Sequence, residues 1–265
     1  MSPWLFFLLP FAVMGAITLV EIRRNPDPTD WVRNLQAFAL DFGIAYFVHR
    51  YWPQWMGGSL IQASLLPFWL ALPLFVVIRD FTEWLFHYAQ HRLPWLWAMH
   101  SLHHSDPEMT ALTTNRHFWG DRLVKAITVW PLANMMMNPN DAVFAAYAVL
   151  ALYNYFIHAN LKVDFGRWSW VLNCPAYHRR HHSRLPEHYD TNFAAMLPVF
   201  DVIFGTYRRP DGWPPCGLDE APRSFGDLID WPVRGPLRRL LGWGAGRRAG
   251  AEAPAQVASP SVSEA

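Results

Sequence analysis

Apolar runs broken by short polar stretches set the layout of this chain. Residues 3 to 20, PWLFFLLPFAVMGAITLV, are apolar throughout and long enough to cross a bilayer as a helix. No basic stretch precedes them, and Arg23 and Arg24 follow. This predicts a retained span rather than a cleaved leader, with its C-terminal end in the cytosol. The turn-rich NPDPTD (Asn25 to Asp30) comes next, and Asp30 is placed to cap a second helix. That helix, over 35–52, is mostly apolar, carries Asp41 and ends at His49 and Arg50, before Gly57 and Gly58; it either crosses or lies in the interface. Residues 60 to 78, LIQASLLPFWLALPLFVVI, predict a third span in which Pro67 and Pro73 kink rather than terminate, closed by Arg79. Residues 119–137 and 142–157, joined by the turn Met137 to Asp141, predict a helical hairpin ending at His158.

Counting crossings, the third run ends inside if the second crosses, and the hairpin leaves the cytosolic side and returns to it. After His158 no long apolar run remains and a cap is expected. From about Gly244 the chain is Gly, Ala, Pro, Ser and charge, which cannot bury a core and predicts a disordered tail. The expected fold is all-α: an integral membrane helical bundle with a cytosolic helical cap carrying a histidine-rich di-metal site. Its parts are transmembrane helices over 1–74, a core over 75–210 that includes the hairpin at 119–157, a cap segment over 211–243 and the tail over 244–265.

Composition agrees with a membrane setting. Hydrophobic residues make up 52% and charged residues 16%, against about 25% charged in soluble domains. The 15 tryptophans suit interfacial surface. A net charge of +1 gives no nucleic-acid footprint. Cys174 and Cys216 form no C-x-x-C pair and read as isolated thiols on the reducing side.

The chemistry lies in the histidines. His87 and His91 form H-x-x-x-H; His100, His103 and His104 form H-x-x-H-H; His178, His181 and His182 form a second H-x-x-H-H. Positions three and four apart share a helix face, so each group aims its rings at one region. With the hairpin returning at His158, all of these fall on the cytosolic side. Imidazole binds iron, zinc, copper and nickel. A metal with open positions takes about three protein ligands, so this many histidines suit two metals. There is no H-E-x-x-H, and no paired E-x-x-H of the carboxylate di-iron bundles. A histidine-rich di-metal centre at a membrane face suits activation of oxygen against an unactivated C–H bond.

The three boxes resemble those of the fatty acid hydroxylase/sterol desaturase superfamily. His158 in FIHAN resembles that family's extra histidine between the last two boxes, and His178 to Tyr207 resembles it in its D-x-N-F and F-G-T-Y endings. The resemblance covers roughly residues 75 to 210. It implies a membrane-bound di-iron monooxygenase that hydroxylates, or desaturates, a lipid or sterol-like substrate with O2. The implied ligands are His87, His91, His100, His103, His104, His158, His178, His181 and His182, with no catalytic residue beyond them. The cofactor is two iron ions, for which zinc can substitute in purified protein. Electrons are expected from a separate protein, since no haem-attachment, ferredoxin or dinucleotide motif is present.

Other residues have two readings each. His117 and His188 are candidate ligands or groups that orient one; the alternative for His188 is a solvated loop. Asp80, Glu83, Asp190 and Asn192 are candidates to bind a metal or to accept the second ring N–H of a metal-bound histidine. Glu83 could instead be a charge at the membrane face. His49 reads as interfacial, Arg116, Arg179 and Arg180 as headgroup contacts, and Met135 to Met137 as apolar hairpin rather than a copper site. A membrane zinc-dependent lipid hydrolase is the main rival and would need Glu83 or Asp190 as general base. A metal carrier would need ionisable groups within the spans, where Asp41 is the clear acid.

Overall fold

The computed structural model describes residues 3–24, 28–51, 59–138 and 140–234. Among them the chain forms helices joined by turns and loops, with no extended pairing beyond two isolated bridges, Ile61 with Met137 and Ser183 with Cys216. The helices are α1 Pro3–Arg24, α2 Pro28–Tyr51, α3 Phe68–Arg92, α4 Pro94–His104, α5 Trp119–Ile127, α6 Val129–Met136, α7 Asp141–His158, α8 Pro175–His181, α9 Val199–Ile203 and α10 Phe225–Arg234. Among the described residues no helix is long and apolar enough to cross a membrane. The tail, Asn25 to Asp27, Gly57, Gly58 and the side chain of His49 lie outside the described residues.

Several helix limits differ from the sequence expectation, each for a local reason. The second helix begins at Pro28, which puts Asp30 inside its first turn instead of at a cap. The third begins at Phe68, not at residue 60. Pro67 holds Leu66 extended (φ −103°, ψ 142°), and residues 59–66 run beside the end of α6, with Leu60 N–H donating to Met135 O at 2.9 Å. From there α3 runs unbroken through Pro73 to Arg92, so one rigid rod carries both the third apolar run and the first histidine box. The first arm of the expected hairpin is divided at Thr128 (φ −123°, ψ −76°) into α5 and α6. Pro131 accounts for this: it offers no N–H to Ile127 O and its ring crowds that carbonyl.

The main apolar core lies where α3, α6 and α7 meet, with Phe75, Val76, Ile78, Ala133, Met137, Val143 and Ala146 buried together. Met137 thus serves packing. Helix α1 packs on α7, and α2 on α5. The α2–α5 contact is fixed by Asp41, which is buried and accepts from Arg122 Nε and Nη2 at 2.6 Å each. Arg116 is no headgroup contact: it is fully buried, donating to Asn34 Oδ1 at 2.8 Å and Ser105 Oγ at 3.0 Å. Arg179 and Arg180 are also buried. Arg179 Nε donates to Pro214 O at 2.9 Å under the Trp213 ring, and Arg180 pairs with Asp211. Among the described residues both cysteines are free and buried.

Candidate metal centre

Four helices bring the histidines together: α3 carries His87 and His91, α4 carries His100, His103 and His104, α7 ends at His158, and α8 carries His178 and His181 with His182 closing it. The rings sort into two groups able to hold a metal. His87, His91, His100, His104 and His181 form one; His103, His158, His178 and His182 form the other, with ligand atoms within 4.8 Å of each other in each. Each H-x-x-H-H box is shared between the groups. Its first and last histidines, four apart and nearly one turn, stay together, while the middle one, three along, turns to the other group. His103 leaves α4 for the group dominated by α8, and His181 leaves α8 for the group built on α3 and α4.

Ring protonation follows from the neighbours. Burial pushes His87, His91, His100, His103, His104, His178 and His182 well below the usual imidazole range, and neighbouring imidazoles add to it. Burial lowers His158 to about 3 and His181 to about 4. All nine are therefore neutral near pH 7. The Nδ1 atoms of His87, His103, His158 and His181 meet backbone carbonyls of Phe193, Thr113, Asn154 and Thr191 at 2.7, 3.0, 2.8 and 2.8 Å. A carbonyl only accepts, so each Nδ1 carries the proton and each Nε2 presents a lone pair.

Most of the inward ring nitrogens have no protein donor to meet. The buried Nε2 atoms of His87, His91, His104 and His181 and both ring nitrogens of His100 and His182 have no hydrogen-bond partner among the described residues. His158 Nε2 meets His178 Nε2 at 2.9 Å, and His103 Nε2 and His158 Nε2 face each other at 3.1 Å, although both of the latter are lone-pair atoms by the same accounting. Two such acceptors repel unless a cation lies between them and the other rings. Each unmatched buried polar atom costs about 1–3 kcal/mol, so the donor set fits a bound metal.

The metal-free protein should therefore lose stability in acid. The unfolded imidazoles take up protons near 6.5, and His181 and His158 in the fold only near 4 and 3. Between those values the unfolded chain binds more protons, so stability falls as pH drops below about 6.5, by about 1.4 kcal/mol per unit for each such ring. Glu21 and Asp80, raised by burial to about 7, oppose this but are two groups against nine. Thermal unfolding of chelator-treated protein should show a clearly lower midpoint at pH 5 than at pH 7. An unchanged midpoint would mean the rings are not buried and neutral.

The remaining candidates hold the site's surroundings. Asp80 reaches no histidine; its oxygens accept from Met196 N at 2.9 Å and Leu197 N at 2.8 Å, which ties the loop after α8 to α3. Glu83 pairs with Arg79 and with Lys125, the latter at 3.1 Å. Asp190 lies 3.6 Å from His91 Nδ1 and the same distance from Arg92. Asp190 and Asn192 both adopt left-handed backbone (φ 56° and 62°), which these two residue types tolerate, and the carbonyls of Thr191 and Phe193 beside them take the protons of His181 and His87. The D-x-N-F ending is thus a backbone device, pinned by Asn192 Oδ1 accepting from Arg208 N at 2.7 Å. His117 stacks on His103 at 4.6 Å and forms a third ligand-capable group with His100 and Asp121. His188 is buried but lies outside these groups, 3.7 Å from Asp211.

Sequence reasoning missed Asp201. Fully buried, its Oδ1 accepts from Trp84 Nε1 at 3.0 Å, Phe193 N at 3.0 Å and Thr206 Oγ1 at 2.5 Å, and its Oδ2 from Tyr177 OH at 2.7 Å and Ala194 N at 2.8 Å. It holds the Phe193 peptide whose carbonyl orients His87. An acid in the apolar run VFDVIF, where burial demands partners, was the available signal.

The chain is similar to known proteins over this same region. The family described as Fatty acid hydroxylase matches residues 72–206, just over half of the 265. An alkylglycerol monooxygenase of Xenopus tropicalis is 34% identical over 129 residues, 48% of this chain and 28% of the relative. An ornithine lipid hydroxylase of Rhizobium tropici is 28% identical over 169 residues, 63% of this chain and 47% of that protein. A Delta(7)-sterol 5(6)-desaturase of Gibberella zeae is 27% identical over 148 residues, 53% of this chain and 38% of that one. The chain thus spans less than half the length of these relatives. No solved structure matches it. All nine box and bridging histidines fall inside the matched segment, and the chain belongs to the fatty acid hydroxylase family.

Proposed function

We propose that this chain is a membrane-bound di-iron monooxygenase that hydroxylates, or desaturates, a lipid or sterol-like substrate, using O2 and electrons from a separate protein. The observation that carries this is the pair of buried, neutral imidazole groups, each with ligand atoms close enough to share a metal and most of them with inward ring nitrogens that no protein donor meets. His87, His91, His100, His104 and His181 would hold one iron, and His103, His158, His178 and His182 the other. Two irons there would supply the binding and reduction of dioxygen that attack on a C–H bond requires. The chain's own contribution is to fix the tautomers through the four carbonyls, to keep the rings neutral by burial and to exclude bulk water. The names of the relatives, lipid hydroxylases and a sterol desaturase, support a lipid substrate.

The reading places the centre on the cytosolic side of a multi-pass protein, with residues 75–210 as the core. Exposed Leu8, Leu19, Phe42, Phe47, Trp69 and Phe144 on α1, α2, α3 and α7 support lipid-facing surfaces. The hydrolase reading is less well supported. Glu83 is engaged by two cations and Asp190 lies beside Arg92, so neither is free as a general base.

Elemental analysis of detergent-purified protein should find about two irons per chain, with O2 uptake on adding a reductant and a lipid extract. Zinc that persists under iron-supplemented expression, with no uptake after iron reconstitution, would overturn the proposal in favour of the hydrolase.

A further inference from the structure

A cavity of about 250 Å3 opens beside the histidines. His87, His100 and His158 contribute to its lining, as do Leu150 and Ala151 of α7, but so do three cations, Arg79, Arg122 and Lys125, and three carboxylates, Asp80, Glu83 and Asp121. A tunnel for bare acyl chain has no use for six charged side chains. Arg79 is 7% exposed and sits over the Tyr147 ring. One of its nitrogens, Nη2, pairs with Glu83, the Tyr147 side chain also interacts with the guanidinium, and Nε and Nη1 have no hydrogen bond of normal geometry among the described residues. Lys125 shares the same carboxylate at 3.1 Å. Two cations thus divide one anion, and two buried guanidinium nitrogens, on different edges of the fork, lack an acceptor that an anionic oxygen would supply.

Position adds to this. Arg79 ends the third apolar run, at the level where lipid headgroups lie under the membrane reading. It precedes His87 by about two turns of α3, roughly 12 Å along the axis. That length admits a polar head and a short run of carbons, not a full acyl chain.

We propose that the cavity holds the anionic head of a lipid substrate, clamped by Arg79 and Lys125, so that the carbon presented to the histidines lies near the head. The inference rests on the oxygenase reading above. The test is equilibrium binding to purified, metal-loaded protein in neutral detergent, with dihexanoyl phosphatidic acid, dihexanoylglycerol and inorganic phosphate as probes.

Phosphatidic acid should bind much more tightly than either of the others. Arg79→Gln should weaken it about ten- to a hundredfold, the range for a lost charge-assisted hydrogen bond. Glu83→Gln, which frees both cations, should tighten it; this opposite sign decides the matter even if the Arg79 variant fails to fold. Equal binding of the neutral lipid, or no response to either variant, overturns the inference. Inorganic phosphate binding as tightly as phosphatidic acid also overturns it, in favour of a free-anion site. Iron and O2 assays on the same preparations separate the two readings. Protein that takes up no O2 yet binds phosphatidic acid through Arg79 defeats the oxygenase reading alone. An active enzyme indifferent to head charge defeats this inference alone.

Discussion

His181→Ala and His103→Ala are each expected to abolish turnover and to lower bound metal, while the chain still folds. The two residues sit in different groups, yet each is the middle histidine of its box and joins the box mates of the other. Removing either therefore opens one metal position and also cuts a link between α4 and α8. His181 carries its Nδ1 proton to Thr191 O at 2.8 Å, and His103 to Thr113 O at 3.0 Å, so each variant also leaves a carbonyl without its donor. The expected loss of activity is at least about a thousandfold, since a metal-dependent step has no substitute among the side chains present. Metal analysis should fall by roughly one ion per chain for either variant, and circular dichroism should keep its helical signature. Full activity in either variant would remove that residue from the ligand set.

Asp201→Ala is expected to produce the largest stability loss of any single change outside the histidines. Five donors from four parts of the chain converge on this carboxylate, and the alanine variant strands Trp84 Nε1, Tyr177 OH, Thr206 Oγ1 and the Phe193 and Ala194 N–H groups together. At about 1–3 kcal/mol for each unmatched buried group, even partial relaxation leaves a deficit above about 4 kcal/mol, a large part of a typical folding margin. Asp201→Asn keeps the volume and one acceptor oxygen but turns an NH2 toward part of the donor set, so an intermediate loss is expected. Tyr177→Phe removes a single bond and should cost about 1 kcal/mol. The order Ala, Asn, then Tyr177→Phe in decreasing damage is read from thermal unfolding in detergent. A midpoint for Asp201→Ala within a degree or two of the parent would show that the hub does not hold this loop.

How much of this could be read from the sequence differs by feature. The box spacings gave the helix faces directly, because three- and four-residue steps are a property of the helix itself. The exchange of His103 and His181 between groups could not be read, since it depends on how α4 and α8 face each other across about 80 residues of chain. Arg116 was misplaced for a similar reason. In sequence it is a cation between polar neighbours, and only the packing of α2 against the 111–115 turn shows that Asn34 and Ser105 enclose it. The break at Thr128 was legible in principle from Pro131, but the apolar content of 119–137 outweighed it. The D-x-N-F ending was visible as a motif while its physical content, two left-handed residues that aim carbonyls at His181 and His87, was not.

The four atoms that set the tautomers of His87, His103, His158 and His181 are main-chain oxygens, and this bears on how such a protein can diverge. Any residue at 113, 154, 191 or 193 supplies the same acceptor, provided the backbone path is kept. Asn154 and Phe193 are meanwhile among the residues that line the cavity beside the histidines. Proton placement on the metal-facing rings and the shape offered to a substrate are thus encoded in different atoms of the same residues. Descendants of one ancestral gene could exchange those side chains, and so reshape the cavity, while inheriting the placement of protons on these rings unchanged.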